Sequence, residues 1–134
     1  MMTGNLPRFA RIAFAVHLVL ALAFGLWLFL APDSMGAVFK LDLDAKVMVV
    51  MRALGAMLLG LGGVTSSSCL FAKSWEQVVT VVYAEVVYLF LQLVIAVAAL
   101  IMGEGTFLLN LLLILVSLGL LVMFVMAWVK RPRV

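Results

Sequence analysis

This chain is poor in charge and has a single cysteine and a single histidine, and each scarcity closes off a class of function. Nine basic and six acidic residues make up 11% of its 134 positions, where a soluble domain carries about 25%. With only Cys69 there is no internal disulfide, and no dithiol exchange of the Cys-x-x-Cys kind. With only His17, a haem held between two axial histidines of one chain is ruled out. No His, Cys and carboxylate grouping has metal-ligand spacing, and no glycine-rich phosphate loop, serine triad or paired carboxylate is present. The formal charge is +3, but the basic residues stand at the ends of apolar runs. Nucleic acid, which needs a basic face, is therefore not an expected partner.

What the chain has in abundance is apolar side chains. They make up 68% of the residues, against about 45–50% in soluble domains. A chain this short cannot hide so many from water. Charge-free runs cover 12–32, 53–72, 86–103 and 105–129, and a bilayer core takes about 20 apolar residues per helix. The fold class predicted is an all-α membrane protein, an antiparallel bundle of four transmembrane helices forming one domain, 1–134, in the lipid bilayer. Arg8, Arg11 and the Ala21-Leu22-Ala23 stretch suggest a signal peptide. The apolar run continues through Phe29, however, too long for an h-region of about 7–15 residues, so this segment is read as a retained span.

The spans are expected near 9–31, 46–71, 75–101 and 107–129. Pro32 disfavours helix at Ala31 and ends the first. The outer loop, 32–45, alternates Met35, Val38, Phe39, Leu41 and Leu43 with polar residues, which places it in the headgroup layer. Asp44 is a candidate N-cap for the second span. Ser74 with Gln77 fits a capping box before the third. Gly103-Glu104-Gly105 breaks the third, and Thr106 can cap the fourth. Such short connections predict spans two to four as antiparallel neighbours.

Lys and Arg set the expected orientation. Arg8, Arg11, Lys73, Lys130, Arg131 and Arg133 share one side, and Lys40 and Lys46 the other. The excess puts both termini in the cytoplasm. Trp75 and Trp128 then fall at the inner interface and Trp27 near the outer one, as aromatic belts require. A bacterial inner membrane is the default location, a eukaryotic organelle membrane the alternative.

Few polar groups enter the spans, and these carry the functional question. Counting helix rise, Glu85 lies roughly 16 Å from the inner edge, His17 roughly 12 Å and Arg52 roughly 21 Å. In a core about 30 Å thick, that puts Glu85 at the midplane. Arg52 can reach down towards Glu85 on its long stem. A carboxylate at the midplane is costly alone, so an intramembrane pair of Arg52 and Glu85 is expected. It serves to fix the bundle or, with Glu85 neutral, to exchange a proton or bind a cation, or else Glu85 contacts another subunit. His17 is the candidate third member. It is read first as a packing residue, then as a partner of Glu85 in proton transfer, then as a lone axial ligand for haem or a chlorin. No other cofactor is expected. Tyr88 and Gln92 follow Glu85 at helical spacing and share its face. Gln92 and Asn110 stand at similar heights and are expected to hydrogen-bond across the third and fourth spans, worth about 0.6 kcal/mol. Gly55, Ala56 and Gly60 thin the second span for helix packing or for an oligomer seam.

Ala31-Pro32 closing the first span, with Arg52-Ala53-Leu54-Gly55-Ala56-Met57-Leu58-Leu59-Gly60 in the second, resembles the DoxX-like proteins and several bacterial four-span families of unknown function. The resemblance implies the same topology and an Arg-x-x-Gly entering the second span, carried here by Arg52 and Gly55. It brings no catalytic residue. The functions it implies are those of accessory subunits, assembly helpers and scaffolds. The expectation is thus a non-enzymatic accessory subunit, scaffold or assembly helper for another membrane protein, with a partner chain or self-association. The alternative is an oligomeric small transporter or channel coupled through Glu85. A membrane enzyme acting on a lipid or quinone ranks last, lacking a nucleophile or metal set.

Overall fold

The computed structural model of the chain describes residues 6–131, so Arg133 lies outside the described residues. These fold as four long apolar helices and one short one, with no strand among the described residues. We label them α1 (Arg8–Leu30), α2 (Pro32–Phe39), α3 (Ala45–Leu70), α4 (Val79–Met102) and α5 (Phe107–Val129). At 1.5 Å per residue, the 23 residues of α1 extend about 34 Å, enough to cross a bilayer core. The fold is an antiparallel four-helix bundle of membrane-spanning helices.

The helix ends follow local chemistry. Asp44 caps α3 by accepting from the Val47 N–H at 2.8 Å, and Thr106 caps α5 through the Leu109 N–H at 3.4 Å. Gln77 Oε1 accepts from the Lys73 and Ser74 N–H groups at 2.8 and 3.4 Å. A 3₁₀ turn, Trp75–Gln77, separates this cap from α4, which begins four residues later than the apolar pattern suggests. Gly103 ends α4 at φ +71°, a left-handed conformation glycine adopts without strain.

Two features depart from the sequence reading. Most of the outer loop is a helix: Pro32 occupies its first turn and Asp33 follows, both favoured there. Met35 and Phe39, four apart, are buried on its inner face against Met51, Phe24 and Trp27. What reads as alternation is one helical stripe. The second departure is in the packing order. α3 packs along α1, α1 against α5, and α5 against α4, but α3 and α4 hardly touch despite the short turn joining them. The reason is that the inward stripe of α3 is shaped for α1. A Cβ on Gly55 would lie 2.6 Å from the Phe29 nitrogen and 2.7 Å from the Gly25 carbonyl oxygen, so the two backbones cross in near contact there. The bundle is a row of four helices with an open seam between its second and third spans.

The described ends of the chain and the 71–78 turn share one end of the bundle: Leu6 N–H donates to the Lys73 carbonyl, and the Lys130 ammonium sits 4.0 Å over the Phe9 ring. Here lies the larger core, built on Ala10, Ala13, Phe14, Val82, Phe124 and Ala127. A smaller cluster, Met35, Phe39 and Met51, closes the opposite end, where α2 lies.

Candidate functional site

Where the larger core gives way to the rest of the bundle, one level holds buried polar groups from three helices. His17 of α1, Ser66 of α3 and Glu85 of α4 are 6%, 0% and 9% exposed. His17 Nδ1 lies 2.9 Å from Ser66 Oγ and 3.4 Å from Glu85 Oε1. The Phe124 ring of α5 meets the imidazole edge to face, 6.0 Å between centroids. The His17–Glu85 contact is the only approach of a basic to an acidic side chain within 4.0 Å among the described residues. A carboxylate inside a membrane needs a partner, and the histidine with its serine supplies one.

The sequence puts these groups at one depth through a stripe on α3. Met51, Gly55, Gly62, Gly63, Ser66 and Cys69 are its buried positions. Within it, Leu58–Val64 is wound as a π-helical segment, a widened turn that occurs often at functional sites. Gly62 lets α3 come close to α1 beside the imidazole. A Cβ there would lie 3.0 Å from the Ala21 Cβ and 3.8 Å from both Cε1 and Nε2 of His17.

Above this level, towards α2, the bundle is hollow. A cleft of about 570 Å³ runs from His17 to Asp42 and Leu43. α1 and α5 form its back, and it follows the seam between α3 and α4. Its walls are almost entirely Leu, Val and Met, with Tyr88, Gln92 and Ser117 among the few polar groups. Its size is within the range of small-molecule sites, about 300–1,000 Å³. A second, shallower groove continues the seam towards the termini, past Thr65, Ser68 and Val81.

The structure joins some of the expected residues and separates others. It brings Glu85 to His17, and it does not bring Arg52 to Glu85. Arg52 is on the exposed side of α3 and makes no ion pair among the described residues. It also stands fourteen residues before Ser66, which is level with Glu85. That separation is about 21 Å of helix rise, beyond the reach of any side chain. Glu85 itself is six residues into α4, about 9 Å, so it lies in the terminal half of the spans and not at their middle.

Ala56 and Gly60 face outwards, and a Cβ on Gly60 would meet nothing within 4 Å, so of the three small residues only Gly55 packs inside the chain. Asn110 is buried but does not bond Gln92. Its side-chain amide donates to the Glu104 carbonyl at 2.6 Å, tying α5 to the loop before it. Gln92 and the half-exposed Tyr88 line the cleft instead. Ser66 is the residue that sequence reasoning missed. The available signal was its position four after Gly62, on the face that Gly55 begins.

These features define a small multi-pass membrane protein with a buried polar cluster inside its spans and a lateral apolar cleft. No family model, curated protein or solved structure matches the chain.

Proposed function

We propose that this chain is a non-enzymatic accessory membrane protein that holds a lipid-soluble molecule in the cleft between α3 and α4. The observation that carries this reading is the cleft itself: apolar walls, a seam unsealed by helix contact, and a buried polar group at its deep end. A molecule already dissolved in the bilayer can enter such a seam sideways. The outward stripe of Arg52, Ala56 and Gly60, spaced four apart on α3, is the surface offered to a partner chain or a second copy. It includes residues on which the resemblance to DoxX-like helpers rests. The Lys and Arg distribution supports cytoplasmic termini, in a bacterial inner membrane by default.

Native mass spectrometry of the protein released from mild detergent tests the reading. A bound lipophilic molecule in stoichiometric amount is expected, and Leu113→Trp, which fills the cleft, should expel it. Protein that stays bare and takes up no added lipophile would refute it.

A second reading, an oligomeric transporter coupled through Glu85, is favoured by the buried His17–Glu85 pair inside the spans. It predicts that Glu85→Gln abolishes proton-coupled uptake in vesicles while leaving protein level intact. Loss of protein level instead would assign the pair to structure.

A further inference from the structure

The deep end of the cleft has a chemistry of its own. His17 is more than nine-tenths buried, and its Nδ1 faces Ser66 and Glu85. Its Nε2 makes no hydrogen bond among the described residues. No buried side-chain nitrogen or oxygen is left both sealed and unpartnered among these residues. Nε2 is therefore not sealed off, and His17 is one of the residues that line the cleft. Ser117 follows the same logic: it is 2% exposed, its hydroxyl has no hydrogen bond among the described residues, and it stands on the wall of the same cleft. An apolar chamber thus ends on an imidazole held through Nδ1, whose other ring nitrogen has no hydrogen-bond partner among the described residues.

The occupant must match both parts. Apolar walls reject a charged or sugar-like headgroup, which would leave its own polar groups unpaired. The free nitrogen is an acceptor in one tautomer and a donor in the other. A hydroxyl serves either, because it both donates and accepts. Resting on the cleft-binding reading above, we propose that the ligand is a lipophilic phenol or alcohol whose single hydroxyl hydrogen-bonds His17 Nε2, with its hydrocarbon body along the α3–α4 seam.

The test compares 4-dodecylphenol with dodecylbenzene, which differ only in the hydroxyl, by equilibrium binding to the full chain in nanodiscs. Wild type is expected to prefer the phenol by about tenfold, what one net hydrogen bond supplies. His17→Phe should bind both equally. His17→Gln, which restores a polar head at that depth, should recover part of the preference and covers the case where the phenylalanine variant fails to fold. Equal binding of both probes by wild type overturns this inference while leaving the cleft reading standing. Binding of neither probe overturns both. Binding that survives Leu113→Trp places the probes elsewhere and overturns the inference. A Soret band in the purified protein that disappears in His17→Gln also overturns it, in favour of a pigment ligated by the imidazole.

Discussion

The two halves of the bundle are built from the same apolar residues and behave differently. At the terminal end, Ala10, Ala13 and Ala127 let the helices close, and Phe14 and Phe124 meet edge to face at 5.2 Å with neither ring exposed. Towards α2, long Leu and Met side chains hold α1, α3 and α5 around a cleft, and α2 lies across its end. The His17–Ser66–Glu85 cluster stands at the boundary. In a bilayer, apolar area gives little drive for helices to associate, so close packing has to do it. Small residues at the contacts supply that at one end. At the other they close only the α1–α3 crossing, at Gly25 and Gly55, and α4 stands apart from α3, which leaves the cleft open.

The largest contrast should come from truncating one side chain in each half. Phe124→Ala empties a sealed site and is expected to cost about 3–5 kcal/mol, read as a lower unfolding midpoint in mild detergent. Leu112→Ala borders the smaller cluster beside the existing hollow. It should cost about 2 kcal/mol, the low end for such a truncation, since less new cavity is created. Equal losses at the two positions would mean that the halves are packed alike and the hollow is filled in the native protein.

At the boundary, Glu85→Leu removes one member of a buried pair and should destabilise by about 3 kcal/mol. Adding His17→Phe should recover part of the loss, because two apolar groups replace two polar ones. A coupling of about 0.5–3 kcal/mol in the double-mutant cycle marks a direct interaction. The same cycle run on Arg52→Leu with Glu85→Leu should be additive, as Arg52 is exposed and far along α3.

Much of the fold was legible in the sequence, and the reason is physical. Charge-free runs of bilayer length specify spans almost by themselves, and Asp44 and Thr106 announce helix starts through their caps. The site was only half legible. Counting from one side put His17 and Glu85 near one level, and they meet. Arg52 was counted from the other side against a core of about 30 Å. The 26 residues of α3 rise about 39 Å, so that count drew Arg52 too close to Glu85. Rotation about the helix axis was not legible either. The π-helical segment compounds this, because it turns the lower part of α3 relative to any ideal 3.6-residue wheel. Ser66, one of four consecutive hydroxyl residues at 65–68, consequently does not stand out in the sequence. The helix in 32–39 was hidden by a short stripe that an alternating pattern imitates.

The smallest expected effect separates a loop tether from an interhelical one. Asn110 stands three residues into α5 and Gln92 ten residues before the end of α4, about 10 Å apart in height, and the Asn110 amide bonds the Glu104 carbonyl at 2.6 Å. Asn110→Leu should therefore cost about 0.6 kcal/mol, the mean for polar contacts in membrane bundles, and its loss should appear as faster amide exchange at 103–106. Gln92→Leu should leave stability almost unchanged, since its side chain borders the cleft and not the Asn110 amide. If the two substitutions instead proved equal and strongly coupled, α4 and α5 would be joined by a direct Gln92–Asn110 bond. The half nearer α2 would then be braced across its helices, and the hollow there would owe its shape to that brace instead of to the lack of contact between α3 and α4.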